Sequence, residues 1–478
     1  MQIGEAAGGV YWPLNAMPID VNTLPTRLCL LTRLLLGAVA ALACAGGAAA
    51  SCLDEEKLET LPSMAADGRS PPPAPVEPRR ALQQLVGDAL ARNQGIGAAR
   101  LLAEAAELDI GEAAAGKKLQ AGLTTGISPV LESANGRNNS SLQARAGINL
   151  SQTLYDGGRN DRLVDWRRQQ AESARLGMLS TQEQISLATI AMALERSRLR
   201  MQAVIYGQNV RKLGCLVQAL ETIVAADKGR TSELVQARKQ LQQAELQQVQ
   251  SQSQARQVEA RLRRVAGDGL PGTDGMASVL LPVPELPAVL AAAERSVEIH
   301  QLAANARALT EIARVVEAGN KPLVSWNLGA SALLSGGGGS GNPRNTSLGG
   351  GVTLTLPLLN PALEYSSQAA RKRAAAADLQ RADALEQRRQ RIVDVHEQAS
   401  AAFDRVRRVG LVLRDSDRLR NFTLQQWQQM GRRSLFDVLA AESDHYNLRV
   451  QYINALHDGQ QMNATLQSLG TGLADWLR

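Results

Sequence analysis

The same order of sequence elements occurs twice along the chain, and the two copies are 204 residues apart. From Leu234 to Val265, mostly apolar or small residues recur in alternating steps of three and four. The same steps recur from Val438 to Leu469. This spacing is the heptad seam of helices packed side by side. A chain of 478 residues is therefore expected to be one duplicated structure and not two or three unrelated domains.

Two segments that precede these seams, 159–226 and 364–429, are rich in Ala, Gln and Arg and contain no proline. Each is predicted to be a single helix of more than about 60 residues, or roughly 100 Å. Only 3% of the residues are aromatic although 44% are hydrophobic. A core of Ala, Leu and Val suits long packed helices better than sandwiches or doubly wound sheets. The turns expected at the ends of the long helices are 227–232 and 430–434.

Strands with alternating side chains precede each long helix. In the second copy Leu348, Val352 and Leu354 alternate with glycine and threonine, and the first copy alternates in the same way from Leu142 to Leu150. The expected hairpins are 119–154 and 323–358, with polar loops at 135–141 and 335–346. A half-buried strand in a soluble sheet gives the same alternation. Four such strands favour an outer-membrane sheet in an exported chain, and the N-terminal region described below predicts export.

Four strands cannot close a membrane barrel, because small barrels need about eight. Two chains would supply eight strands and three would supply twelve. Eight strands leave an interior filled by side chains, whereas twelve leave a passage, so a homotrimer is favoured. No segment after the N-terminal region reaches 18 uncharged apolar residues, so strands are expected to make any crossing of outer-membrane lipid.

The N-terminal region predicts export. Arg27 and Arg33 precede an apolar run at 34–43, and three alanines stand before Ser51, which predicts a signal peptide at 1–50. A start at Met17 would give a more ordinary leader length. Lipidation of Cys44 or Cys52 remains an alternative. The net charge of +6 is too small for a nucleic-acid binder, so no nucleic-acid partner is expected.

Six segments follow from these patterns. They are the signal peptide at 1–50, a flexible Pro-rich segment at 51–81, a first repeat at 82–270, a linker at 271–284, a second repeat at 285–470 and a tail at 471–478. Each repeat is expected to contain a helix, a hairpin, a long helix, a turn and a return helix.

Signals of catalysis are missing from the sequence. The four histidines do not have metal-ligand spacing; they are His300, His396, His445 and His457. The glycine-rich run at 336–341 is not followed by Gly-Lys-Ser/Thr, so it is a loop and not a phosphate cradle. We therefore predict no enzyme activity, no cofactor and no metal.

Two motifs resemble a known family. The strand exit Asn-Leu-Ser-Gln-Thr-Leu-Tyr-Asp-Gly-Gly-Arg at 149–159 and the tip motif Gly-Arg-Arg-Ser-Leu-Phe-Asp-Val-Leu-Ala-Ala at 431–441 look like the TolC family of outer-membrane efflux and type I secretion channels. The resemblance spans about residues 82–470. It implies a mainly α fold with membrane β-strands: a trimeric twelve-stranded outer-membrane barrel continuous with a long periplasmic helical barrel.

The resemblance also implies a gate at the periplasmic tip. Arg433 stands where the family has its tip arginine, and Glu233, preceded by Ser232, stands where it has an acid preceded by a hydroxyl residue. The implied latch is a contact between Arg433 and Glu233. Asp437 matches the first carboxylate of the family's constriction ring, and the second falls on Ala440.

The neighbours of this gate depart from the family's pattern. Gln428 occupies the place of the tip tyrosine, and Gly431 and Ser434 belong to the tip motif. The ring is expected to be less acidic than in the family unless Glu442 compensates. Gly, Ser, Arg and Asp are also ordinary residues in a solvated turn at a helix tip, and that alternative stays open.

The function implied is a passive exit duct from the periplasm to the exterior. Its partners would be a periplasmic adaptor (membrane fusion) protein and an inner-membrane ABC transporter. Its exported substrate would be a protein toxin, as in haemolysin-like or adenylate cyclase toxin type I secretion. Two alternatives remain: a multidrug or metal efflux pump with a proton-driven transporter, and a structural coiled-coil surface protein without a pore.

Overall fold

The computed structural model describes residues 76–134, 137–273, 275–336, 344–430 and 433–477. The predicted signal peptide, the alternative start at Met17, most of the Pro-rich segment, Cys44, Cys52 and Gly431 lie outside the described residues.

The described elements follow one plan twice. The first copy contains α1 (Val76–Arg92), α2 (Gln94–Ala115), β1 (Gln120–Ala134), β2 (Arg137–Tyr155), α3 (Arg159–Ala226) and α4 (Thr231–Ala266). The second contains α5 (Leu286–Ala293), α6 (Val297–Glu317), β3 (Leu323–Gly336), β4 (Arg344–Thr355), α7 (Pro361–Met430) and α8 (Leu435–Leu469), followed by a short α9 (Leu473–Leu477). The mainly α fold with a duplicated strand-strand-helix plan is thereby confirmed.

The long helices agree with the sequence. The first, α3, has 68 residues and the predicted bounds, and α7 has 70 residues and begins three residues before its predicted start. Both are roughly 100 Å long at 1.5 Å per residue. Within the described residues, no helix combines the length and apolar character needed to cross a membrane.

Three segments contain helices that the sequence did not predict. Two helices precede each hairpin where one was expected. In the first copy Asn93 separates them. Its side chain accepts hydrogen bonds from the N–H groups of Gly95 and Ile96 and so caps α2. The first of these helices, α1, begins at Val76, inside the segment predicted to be flexible. The predicted tail contains α9, whose Leu473 is buried against α1.

The four strands form one antiparallel sheet in the order β1-β2-β3-β4. The pairing of β2 with β3 joins the two copies; Leu150, for example, lies opposite Leu328. The predicted loop 135–141 is wrong in part, because β2 begins at Arg137 and ladder bonds do not require apolar side chains. Similarly, β4 begins inside the predicted loop 335–346. It ends at Thr355 and not at 358, close to Pro357, which has no N–H to donate.

The register gives the sheet two different faces. Leu123, Ile148, Ala330 and Leu348 form one continuous row across the four strands. The neighbouring row on the opposite face consists of Gly122, Asn149, Gly329 and Gly349. The apolar face is open to the surroundings, since Leu123 is 72% exposed and Leu348 is 76% exposed. We call these the apolar face and the small-residue face of the sheet.

A sharp elbow joins β2 to α3. Gly157 and Gly158 have φ angles of 67° and 85°, a left-handed conformation that favours glycine. The Asp156 carboxylate accepts hydrogen bonds from the N–H groups of Gly158 (3.1 Å) and Asn160 (2.7 Å). Lys321, which precedes β3, donates to the Gly157 carbonyl oxygen at 3.0 Å. The elbow is therefore held from both copies of the repeat.

The second elbow, between β4 and α7, uses different chemistry. The side chain of Asn360 accepts a hydrogen bond from the N–H of Leu363 at 3.2 Å, and Pro361 is the first residue of the helix. Proline suits this position because its ring presets φ and no N–H bond is lost.

A buried apolar cluster joins the two helical hairpins, α3 with α4 and α7 with α8, at the ends away from the sheet. We call it the tip cluster. Its buried members are Leu213, Leu216, Val217, Leu220, Leu234, Ala237, Ala244, Leu424, Leu435, Val438 and Leu439.

We expect replacement of Gly157 by alanine to destabilise the protein more than replacement of Gly158. Both variants force alanine into a left-handed conformation, at a cost of about 1–2 kcal/mol. Only at Gly157 would the added Cβ overlap the Lys321 side chain, since nothing lies within 4 Å of the same position on Gly158. Thermal unfolding of the two purified variants in detergent compares these costs, and equal midpoints would contradict the crowding at Gly157.

The tip cluster predicts a contrast between two adjacent residues. Leu435 is 0% exposed within the cluster, whereas its neighbour Phe436 is 47% exposed. Leu435→Ala should lower the free energy of unfolding by about 2–5 kcal/mol, and Phe436→Ala by about 0.5 kcal/mol. Denaturant unfolding measures both, and a Phe436→Ala loss as large as that of Leu435→Ala would show that the cluster is wrongly placed.

Candidate functional site

The first tip turn connects α3 to α4 through a single 3-10 turn, Lys228–Arg230. Asp227 accepts a hydrogen bond from the N–H of Gly229 at 2.9 Å, and the Thr231 hydroxyl donates to the Lys228 carbonyl oxygen at 2.7 Å. These short-range bonds fold the turn locally, as Asp and Thr commonly do. Ser232 is exposed in the first turn of α4.

The second tip turn connects α7 to α8, and Ser434 caps α8. Its hydroxyl oxygen accepts a hydrogen bond from the N–H of Phe436 at 3.1 Å. This is the ordinary role of serine at a helix start. It is an immediate structural reason for serine in the tip motif, whose Gly431 lies outside the described residues.

The two residues of the predicted latch have separate partners in this chain. Glu233 forms an ion pair with Arg230 at 3.4 Å on its own tip. Arg433 forms an ion pair with Asp437 at 3.8 Å and donates a hydrogen bond to the Gln426 side-chain oxygen at 3.2 Å. The structure thus places Glu233 and Arg433 on adjacent tips without bringing them together, and their contact stays a prediction.

Glu442 does not face the exterior of the tip. It is 0% exposed and lies 3.7 Å from Arg420, a residue of α7 that is also buried. The expectation that Glu442 could compensate for the missing ring carboxylate is therefore wrong. Its seven-residue spacing from Leu435 turns it toward the neighbouring helices.

Of the residues predicted to form or adjoin the ring on the second tip, Gln428, Asp437 and Ala440 are exposed. Only Asp437 among these three carries a charge, and the exposed Arg433 on the same tip neutralises it in part. Glu221 near the end of α3 is likewise paired with Arg238 of α4 at 2.6 Å. Each of these carboxylates has an arginine partner within its own helical hairpin.

Sequence reasoning missed the buried pair of Arg420 and Glu442. A signal for it existed, because each residue continues a buried series with seven-residue spacing. In α7 the series is Ile392, Ala399, Val406, Leu413 and Arg420. In α8 it is Leu435, Glu442, Arg449, Leu456 and Asn463. Opposite charges at inward heptad positions of adjacent helices predict a buried pair.

No group of His, Cys, Asp and Glu side chains in the described ranges is arranged to hold a metal ion. The described part of the tip contains helix caps, exposed ion pairs and a buried apolar cluster. This arrangement supports a contact surface that can rearrange, since exposed ion pairs are weak and few bonds would have to break.

Comparison with known proteins agrees with this architecture. Residues 85–268 match the family model described as outer membrane efflux protein. No curated protein sequence matches the chain significantly.

Several solved structures share the fold. The outer membrane protein VceC from Vibrio cholerae superposes with a TM-score of 0.68 at 18% identity, covering 84% of this chain and 99% of that one. The CmeC outer membrane channel of Campylobacter jejuni gives 0.69 at 12% identity, with 86% and 90% covered. The open state of the MtrE channel of Neisseria gonorrhoeae gives 0.67 at 15% identity, with 83% and 90% covered.

The structural matches establish the fold over most of the chain, and the family model establishes the relationship over residues 85–268. Both agree with the predicted place of the protein in the outer membrane, with helices that extend into the periplasm. Residues 85–268 thus match the outer membrane efflux protein family, and the chain has the fold of the solved outer-membrane channels, in agreement with the resemblance to the TolC family seen in the sequence.

Proposed function

We propose that this protein is the outer-membrane exit duct of a tripartite export machine and that three copies form one passage. The observation that carries the proposal is the four-stranded sheet. It has an exposed apolar face, two edge strands whose outer edges have no partner among the described residues, and a long helix continuing from each hairpin.

The open sheet edges support assembly with further copies. Among the described strands, β1 pairs only with β2, and β4 pairs only with β3. Long unpaired edges favour pairing with another strand, and closure into a barrel removes them. Three copies supply twelve strands, which leave a passage where eight would be filled by side chains. In that barrel the apolar face contacts lipid and the small-residue face lines the lumen.

The helices extend this passage away from the membrane. Both long helices leave the sheet at capped elbows and run roughly 100 Å to the tips. We propose that the tips meet a periplasmic adaptor and an inner-membrane transporter, which supply the energy. The duct itself conducts passively and holds no cofactor.

The tip residues are proposed to act as the gate. In the assembled closed state, Arg433 and Glu233 exchange their present partners for each other across adjacent hairpins, with Asp437 released toward the lumen. An exposed ion pair contributes only about 0.2–1 kcal/mol. A few copies of such a pair make a latch that a docking partner can open.

Two kinds of cargo fit this duct. A protein toxin delivered by an ABC transporter follows from the resemblance to type I secretion channels. Small molecules or metal ions delivered by a proton-driven pump accord better with the family's description as efflux proteins. The genes adjacent to this one separate the two: a toxin gene with a peptide-exporting ABC transporter supports secretion, and a proton-driven pump supports efflux.

The gate predicts how tip variants conduct ions. In planar bilayers, Arg433→Ala and Glu233→Ala should each raise the conductance of the purified protein, because each removes one side of the latch. If the two residues form one pair, the double variant should conduct no better than the better single variant. Arg238→Ala is the matched control, since its exposed pair with Glu221 lies within one hairpin and its loss should leave conductance unchanged.

Two results would contradict parts of this proposal. If the increases in conductance of the two single variants multiply in the double variant, Glu233 and Arg433 act independently through Arg230 and Asp437. The proposed contact between Glu233 and Arg433 would then be wrong. A trimer that inserts into the bilayer and carries no current in any variant would remove the duct and favour the structural coiled-coil alternative.

A further inference from the structure

One charged side chain lies on the small-residue face of the sheet. Arg145 is in the middle of β2, opposite Gly126 of β1 and Leu333 of β3. It shares this face with Asn149, because strand residues separated by an even number of positions point to the same side. Among the strand residues whose side chains the structure describes, Arg145 is the only charged one.

The surroundings of Arg145 do not neutralise it. Its side chain is exposed, and it has neither an ion pair nor a hydrogen bond within the described ranges of the chain. The small residues beside it leave open space: a depression of about 390 Å³, lined among others by Gly147, Asn149 and Ser331, begins two positions further along β2. A cation in this position is accessible to solution ions.

The tips do not supply an opposing field. Glu233, Asp437 and Glu442, which could have made the entrance acidic, are paired with Arg230, Arg433 and Arg420 respectively in the single chain, and the first two of these pairs are regained when the proposed latch opens to conduct. Paired charges of opposite sign largely cancel beyond the screening length of about 8 Å in physiological salt. Arg145 therefore remains as an uncompensated positive charge on the described sheet.

We infer that Arg145 lines the lumen as a ring of three cations and makes the duct selective for anions and acidic cargo. The inference rests on the proposed exit duct, because a ring exists only if three sheets close with the small-residue face inward. A passage lined by one sign of charge concentrates ions of the opposite sign. A unit charge about 8 Å from an ion in water alters the local ion concentration about twofold before screening.

The test is the reversal potential of the purified full chain in bilayers of zwitterionic lipid under a potassium chloride gradient. The unmodified protein should be more permeable to chloride than to potassium. Arg145→Gln should lower the chloride-to-potassium permeability ratio about twofold, whereas Arg145→Lys should preserve it. Asn149→Asp adds a carboxylate to the same face and should also lower the ratio, which provides a second measurement should Arg145→Gln fail to assemble.

Measurements are repeated in the Arg433→Ala, Glu233→Ala background, which removes one charge of each sign from the tip and leaves the net charge unchanged. A preference for potassium in the unmodified protein, or a ratio that neither Arg145→Gln nor Asn149→Asp changes, would overturn the inference while the duct stands. Absence of current in every variant would overturn the duct, and the inference with it.

Discussion

The pairing of β2 with β3 is the contact on which the remaining structure depends. These strands belong to different copies of the repeat, and their antiparallel register sets which side chains share a face. A shift of one residue would move every apolar side chain of one hairpin to the small-residue face. The register is kept across the four strands except for an irregularity between Thr153 and Tyr155. One chain therefore presents a continuous apolar face and two edges that are open among the described residues, and the proposed assembly depends on both properties.

The helices satisfy a second constraint, which is close packing with few large side chains. The buried positions of the long helices are mostly alanine, leucine and valine. Gly459 of α8 shows how tight this packing is, because an added Cβ would lie 2.9 Å from the Phe403 ring. Polar residues at the seam are used as connectors. Asn463 donates hydrogen bonds to the Leu280 and Pro282 carbonyl oxygens and so holds the connection between the two copies.

Much of the fold could be predicted because its periods are simple. A composition rich in Ala, Gln and Arg without proline predicted the bounds of α3 and nearly those of α7, side-chain alternation predicted both hairpins, and the offset of 204 residues showed that the order repeats. Boundaries set by hydrogen bonds were less predictable: Asn93 divides two helices, and ladder pairing carries β2 into a polar loop. The candidate site was the least predictable. Ser434 could be identified from its motif, but the partners of Glu233, Arg433 and Glu442 depend on how helices distant in sequence meet.

The elbow at Gly157 and Gly158 determines how α3 can move relative to the sheet. Its glycine conformation, the Asp156 cap and the Lys321 bond anchor the start of α3 to the sheet. A rod of about 100 Å that is anchored at one end acts as a lever, and a bend of one degree close to the anchor displaces the far end by about 2 Å. An opening of several ångströms at the tips therefore requires no local hinge near the proposed gate, since slight bending distributed along the rod is sufficient.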